Sequence, residues 1–177
     1  LLNEKFDEIR AVNSSLLAKQ IPCLIISVKK NRKGHIRELH EQICSLKEIA
    51  GVKMILYVEH TVDAEDLPTA LWRFCNNLDP KRDSQINKHP TSNLKPQSSN
   101  YSACIGFDGT RKTKEFDDFN RDWPNIIVAD DATIMAVDSK WNDLGIGKFI
   151  PSPSLKFKDQ MYGEEAVVSN STQSLKV

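Results

Sequence analysis

Three groups of side chains in this chain have the types and spacing to do chemistry. The first is the basic turn Lys29–Lys33, followed by Gly34, which leaves an apolar run and opens a helical pattern. A helix N-terminus presents unpaired N–H groups and a partial positive charge, so a lysine placed there can hold a phosphate as a flexible point charge. A solvated basic turn accounts for the same residues. The second group is Asp108-Gly109-Thr110-Arg111-Lys112, an acid, a glycine, a hydroxyl and two cations at the end of an apolar strand pattern. Alone it is a turn signal; it gains weight from following a polar stop, Asp79-Pro80-Lys81-Arg82-Asp83. The third is the acidic cluster Glu59, His60, Asp63, Glu65 and Asp66, at a strand end where open α/β sheets often bind ligands. Turn and cap duty is the preferred explanation of these residues.

Other chemistry is not supported. Asp130-Asp131 could form a metal or phospho-acceptor pair, but helix capping needs no further assumption. His35 and His40 are five residues apart and do not share a helix face, and His89 stands alone in a polar stretch. No set of His, Cys and acidic residues has zinc spacing. Neither GxSxG nor GxxxxGK[ST] occurs. The four cysteines, Cys23, Cys44, Cys75 and Cys104, form no CxxC pair and lie in apolar or amphipathic segments, which reads as free core thiols in a reducing compartment, the cytoplasm. Trp72 and Trp141 sit at helical core spacing; Trp123, before a proline, is the tryptophan placed for an interface.

The elements that must position these groups follow from periodicity. Ile9–Val12 reads as a short edge strand, and Ile21–Val28 as a strand buried on both faces. From His35 a helix follows, with Ile36, Leu39, Ile43 and Leu46 as its apolar stripe and Arg37, Glu38, Glu41 and Lys47 toward water. Gly51 ends it and Val52–Val58 is the next buried strand, so a parallel crossover is expected. Asp66 caps a helix with Pro68 in its first turn, burying Leu67, Leu71, Phe74, Cys75 and Leu78 and stopping at Asp79-Pro80. Ser84–Tyr101 is polar and longer than an ordinary connection. Ala103–Phe107 resumes a strand, Ile126–Val128 is strand-like, and Asp130 or Asp131 caps a last helix. Ile134, Val137, Trp141 and Leu144 form the inner stripe of that helix, and Gly145 and Gly147 terminate it. The class is α/β: a mixed, largely parallel sheet flanked by helices, with an extended C-terminal tail.

Composition bounds the function. The chain has 177 residues, enough for a domain with a real core. Lys+Arg and Asp+Glu each number 24, so the net charge is zero, which argues against broad electrostatic binding of nucleic acid or an anionic membrane and leaves room for one local anion site. No apolar run approaches the roughly 20 residues of a transmembrane segment. The start, LLNEKFDEIR, lacks an initiator Met and has no signal-peptide character, which is consistent with a segment of a longer protein. The tail from Lys148 holds Pro151, Pro153, Leu155, Phe157, Met161 and Tyr162, too many large apolar groups for a solvated linker; packing on a neighbouring subunit and packing on its own domain both remain open. The last residues, SNSTQSLKV, are polar and read as disordered.

Five segments in order carry a family resemblance. They are Ile25–Lys30 with Gly34-His35; the strand Val52–Val58 with the turn Val62-Asp63; Trp72 with the stop Asp79–Asp83; Gly106–Lys112 against a G-x-D-A-T-x-K signature; and Trp141–Gly145. Together they resemble the C-terminal domain of the UbiD decarboxylase family, over about Phe6 to Gly147, and imply a domain at residues 1–147 followed by a tail at 148–177. Departures are Glu59-His60-Thr61 in place of an acidic triplet, Gly109 in place of the signature alanine, and Cys75, Asn76 and Asn77 where relatives carry a T-R pair.

The resemblance implies that the parent is a carboxy-lyase acting reversibly on an aromatic or α,β-unsaturated acid with prenylated FMN, the type member acting on 3-polyprenyl-4-hydroxybenzoate in quinone biosynthesis. The Glu-Arg-Glu set that catalyses in the family belongs to an upstream domain, so no residue of this chain is assigned a catalytic role. The missing N-terminal flavin-binding domain is the implied partner, with a divalent metal and K+ allowed there. The C-terminal domain is implied to close over the flavin and to form homo-oligomer contacts, with Lys30, or its neighbour Lys29, on the cofactor phosphate. The alternative is a free-standing α/β binding or regulatory module without catalysis.

Overall fold

The computed structural model describes residues 2–88, 103–121, 123–161 and 167–168. The chain divides into two compact units, Leu1–Trp123 and Pro124–Val177. In the first, a single-turn helix α1 (Leu2–Lys5) leads to strand β1 (Ile9–Asn13) and a short helix α2 (Ser15–Ala18). Strand β2 (Cys23–Val28), helix α3 (His35–Cys44), strand β3 (Met54–Glu59) and helix α4 (Leu67–Asn77) follow. A one-turn helix α5 (Pro80–Asp83) runs into strand β4 (Ser84–Lys88); strand β5 (Ala103–Asp108) and the short helix α6 (Lys114–Asp117) complete the unit. The sheet order is β1-β2-β3-β5-β4: the three central strands are parallel, and each edge strand is antiparallel to its neighbour.

The continuous apolar runs of β2 and β3 arise because both strands are buried on both faces. Leu24, Ile26 and Val28 of β2 and Ile55 and Tyr57 of β3 pack with Ile36, Leu39 and Ile43 of α3. Cys23 and Ile25 with Leu56 and Val58 face the other way, against Ala70 and Phe74 of α4. The stripe read from α3 is therefore present, with Leu46 partly buried, and His35, His40 and Cys44 are buried beside it. The helix itself stops at Cys44, and a 3-10 turn at Lys47–Ile49 carries the chain to Gly51.

Helix α4 is capped as read: Asp66 accepts from the Thr69 amide at 3.3 Å, and Pro68 occupies the first turn. Its buried face is rotated from the expected one. Thr69, Ala70, Arg73, Phe74 and Asn77 are buried, Leu67 and Leu78 are partly packed, and Leu71, Trp72 and Cys75 are exposed. A polar tether sets this rotation. The Asn77 amide donates to the Gly109 carbonyl at 3.0 Å and accepts from Trp123 Nε1 at 2.8 Å, turning that side of the helix inward. Trp72 is thus not a core residue, Cys75 is not a core thiol, and Trp123 has an intramolecular partner.

The stretch read as one long connection from Ser84 begins as strand β4, paired antiparallel with β5 so that Ile86 lies opposite Ile105. It is a polar edge strand with few side chains to bury, so periodicity did not mark it. The remainder of that stretch, with His89, lies outside the described residues, as does the chain end.

The second unit holds a parallel pair, β6 (Val128–Ala129) and β7 (Val167–Val168), and helix α7 (Asp131–Asp138). Asp130 caps α7, accepting from the Thr133 amide at 2.7 Å. The helix is shorter than read: Trp141–Leu144 forms a 3-10 turn, and Gly145 and Gly147 take φ of +63° and +110° at its end. The expected inner stripe is only partly covered: Ile134 and Trp141 are half-buried, Trp141 lying edge-on to Phe149, whereas Val137 and Leu144 are exposed with Met135, Ile146, Phe149 and Ile150.

Gly109 is packed closely against α4 and the end of β3. A Cβ there would run into Phe74 Cδ2 and lie 3.0 Å from the Tyr57 carbonyl oxygen. Gly109→Ala is expected to destabilise the chain by about 1–3 kcal/mol in urea unfolding. Phe74→Leu in the same background should recover part of that loss; a neutral Gly109→Ala would refute the close-packing account.

Candidate functional site

The C-terminal ends of the three parallel strands bring Lys29 and Lys30 (after β2), Glu59 (ending β3) and Asp108 (ending β5) to one side of the sheet. Because β4 runs antiparallel, with Ser84 opposite Phe107, the Asp79–Asp83 stop lies at the same end. The two polar motifs separated in sequence thus meet.

Their meeting point is Lys112. Its side chain is buried, and Nζ donates to the Asp108 carbonyl at 2.7 Å and lies 3.1 Å from Asp108 Oδ2 and 3.3 Å from Asp83 Oδ1. Asp83 is also held by a fork from Arg82, whose Nε and Nη2 each approach at 2.7 Å, and by the Asp79 amide at 2.8 Å. Burial alone would raise the Asp83 pKa; the Arg82 hydrogen bonds, the Asp79 N–H and the Lys112 charge outweigh it and hold the carboxyl below its usual value. The Asp83 hydrogen bonds in turn raise Arg82.

Thr110 joins this cluster to a second ion pair. Its hydroxyl donates to Asp108 Oδ1 at 2.5 Å and accepts from Lys30 Nζ at 3.1 Å. Lys30 also donates to the Arg111 carbonyl at 2.9 Å and to both Asp117 oxygens at 2.7 Å, with the two charged side chains largely buried. An ammonium has three donors, so Lys30 is saturated. Lys29 is exposed, and its ammonium has no acidic partner among the described residues. The rest of the basic turn is neutralised: Arg32 pairs with Glu38 at 2.8 Å and Lys33 pairs with Asp118.

The turn is pinned from behind by His35. Its Nδ1 accepts from the Asn31 amide at 3.2 Å, which places the proton on Nε2, 2.9 Å from Glu8 Oε1. Burial opposes ionisation of Glu8, but the His35 contact and backbone hydrogen bonding prevail and lower its pKa. Gly34 precedes α3 at φ +71°, a conformation that favours glycine.

Between these groups lies a cleft of about 150 Å³, lined by Lys30, Arg37, Arg82 and Lys112 together with Asp83, Asp108 and Asp117. Each carboxylate already accepts from a cation, whereas Arg37 has no acidic partner among the described residues. Such an arrangement can bind a small anion. The acidic cluster near Asp63 does not converge on a site. Asp63 accepts from the Glu65 amide at 2.9 Å, Asp66 caps α4, and Glu59 accepts from the Arg111 amide at 3.3 Å. Burial, with Lys29 and Arg10 adding to it against Glu59, keeps the His60 pKa low. In the second unit, Asp130 is a cap and Asp131 pairs with Lys158 at 2.9 Å.

Sequence reasoning found Lys30 and the Asp108–Lys112 segment but missed Arg37, assigned only to solvent, and Asp117, which carries no motif. Asp83 was visible as part of a stop, and its role at Lys112 was not.

The low Asp83 pKa makes a stability prediction. A carboxyl whose folded pKa lies below its unfolded value stabilises the fold above the unfolded pKa, about 3.9 for Asp, and that contribution is lost as pH falls through the folded pKa. Denaturant midpoints measured across that acidic window should fall, and Asp83→Asn should both lower the plateau near neutrality and flatten this part of the profile. An unchanged acid profile in the variant would contradict the assignment.

Residues 1–109 match the family model of the 3-octaprenyl-4-hydroxybenzoate carboxy-lyase C-terminal domain, UbiD_C. An uncharacterised protein of Aeropyrum pernix is 27% identical over 124 residues, 68% of this chain and 25% of that protein. The vanillic acid decarboxylase of Sedimentibacter hydroxybenzoicus, in its open form, superposes with a TM-score of 0.59 at 19% identity, covering 82% of this chain and 31% of the other. The UbiD-class enzyme HmfF of Pelotomaculum thermopropionicum, in complex with FMN, gives a TM-score of 0.50 at 18% identity over 70% of this chain and 28% of the other. The chain therefore spans about a quarter of the length of its curated relative and under a third of these structural neighbours. The matched segment contains the basic turn, the Asp79–Asp83 stop and the start of the Asp108–Lys112 loop, and the parallel sheet that presents them is shared with decarboxylases: this chain belongs to the UbiD family, as its C-terminal domain.

Proposed function

We propose that the parent of this chain is a prenylated-FMN-dependent decarboxylase of an aromatic or α,β-unsaturated acid, and that this domain closes over the cofactor. The observation that carries the reading is the charged cleft at the C-terminal ends of β2, β3 and β5, the place where parallel sheets receive ligands. Its volume suits a phosphate group and not a flavin ring system, which falls to the preceding domain. Bound there, the flavin supplies the electron sink for decarboxylation. The domain's own part is to bind and orient: Lys30 contacts the phosphate, with exposed Lys29 beside it and Arg37 as the cleft cation left without an acid.

Saturation of Lys30 adds a condition to this reading. The Asp117 carboxylate occupies the ammonium with two oxygens, as a phosphate would, so a phosphate reaching Lys30 displaces Asp117. Exposed apolar residues on the second unit, Met135, Leu144, Ile146, Phe149 and Ile150, support packing of this region on a further subunit in a homo-oligomer. A quinone precursor such as 3-polyprenyl-4-hydroxybenzoate is a substrate within this class. A divalent metal and K+ would belong to the upstream domain.

The complete enzyme tests the phosphate role through flavin content per protomer. Lys30→Ala should lower flavin retention several-fold, Lys29→Ala should have a smaller effect, and Asp117→Asn should raise retention by removing the competing carboxylate. Unchanged flavin content in Lys30→Ala, with the protein folded, would overturn the assignment.

A further inference from the structure

A second cluster lies further along α3, in the buried core. His40 and Cys44, one helical turn apart, meet Cys104 of β5, and a ligating atom from each lies within 4.8 Å of the others. All three residues are buried at 1% exposure or less. Nothing in the cleft chemistry uses them, and no two of the four cysteines are joined in a disulfide.

Three features of the cluster go beyond ordinary core packing. The first is spacing. His40 Nε2 lies 3.5 Å from Cys44 Sγ, about the separation of two ligands on adjacent corners of a zinc tetrahedron built with Zn–N of about 2.0 Å and Zn–S of about 2.3 Å. The second is orientation. The other ring nitrogen, Nδ1, lies 2.9 Å from the Tyr57 hydroxyl, which is itself buried, so the imidazole has the outer partner that fixes a metal-binding tautomer. The ring is also held by contact with the backbone of β5: a Cβ on Gly106 would lie 2.6 Å from Nδ1. The third is charge. Two thiolates and a neutral imidazole around a divalent ion sum to zero, the one charge state that a dry interior accepts without a counter-ion.

We propose that His40 Nε2, Cys44 Sγ and Cys104 Sγ form a buried binding site for a divalent metal of the zinc class, with Tyr57 as the positioning residue. Binding forms three metal–ligand bonds and releases two protons, one from each thiol; the bound imidazole carries its single proton on Nδ1, donated to Tyr57 Oη, and Nε2 gives up its 3.4 Å approach to the Cys104 carbonyl. A fourth position is left for a non-protein ligand. The site ties α3 to β5, and the burial of all three ligands makes its role structural.

Cobalt(II) added to the reduced, folded chain is the probe. One equivalent should produce a near-ultraviolet thiolate-to-cobalt charge-transfer band with visible d–d bands, and zinc should bleach both. Cys104→Ala and Cys44→Ala should each abolish the charge-transfer band, while Cys75→Ala, at an exposed thiol, keeps it. Tyr57→Phe retains the ligands and should weaken binding about tenfold or more. It keeps the test open if either cysteine variant fails to fold. Absence of the band from the wild-type chain, its survival in Cys104→Ala, or an affinity unaltered in Tyr57→Phe would overturn the proposal.

Discussion

The arrangement at the top of the sheet depends on one buried ammonium. Lys112 is among the largest fully buried side chains of the described residues, and a charge in that position is tolerated only with partners. Asp108 supplies a carbonyl and a carboxylate oxygen, and Asp83 supplies the second acid. Each partner sits at the end of a different element: Asp108 closes β5, Asp83 closes α5 just before β4. Satisfying one lysine therefore fixes where the two polar motifs lie relative to each other. Thr110 extends the constraint to Lys30, and Lys30 to α6. The cleft is the space these pairs leave open.

The loop that carries Lys112 is also packed against α4. The signature alanine is Gly109 here, and Phe74 of α4 fills the space that a Cβ would take. Asn77, one turn further along α4, binds the Gly109 carbonyl and Trp123 together. The glycine, the phenylalanine contact and the asparagine tether are parts of one packing solution, which brings α4 against the Asp108–Lys112 loop. The tether also explains why α4 buries Arg73 and Asn77 while exposing Leu71 and Trp72, against what hydrophobic spacing implied.

Much of the fold was legible because its signals are local. The runs through Ile25 and Leu56 can only be strands buried on both faces, and Asp66 and Asp130 announce helix starts by capping chemistry. Lys30 was legible as the end of such a strand. The pairing of Lys30 with Asp117 was not: the two are 87 residues apart, and an exposed acidic segment offers many equivalent partners. The buried His40, Cys44 and Cys104 cluster escaped for the same reason. A spacing of four on a helix is common, and Cys104 reaches it only through strand order. Strand β4 was missed because a polar edge strand has little hydrophobic alternation to read, and α7 was read too long because its apolar spacing continues past the point where the backbone tightens into a 3-10 turn.

The central claim is that Lys112 is held by Asp83 and Asp108 as one buried unit. A double-mutant cycle between Lys112→Met and Asp83→Asn, read by urea unfolding, measures it most directly. Lys112→Met alone leaves the buried Asp83 and the half-buried Asp108 without their shared cation and should cost about 3 kcal/mol. The double variant should cost less than the sum of the single ones, with a coupling of about 1 kcal/mol or more. Strictly additive costs would mean that the pair does not organise this end of the sheet.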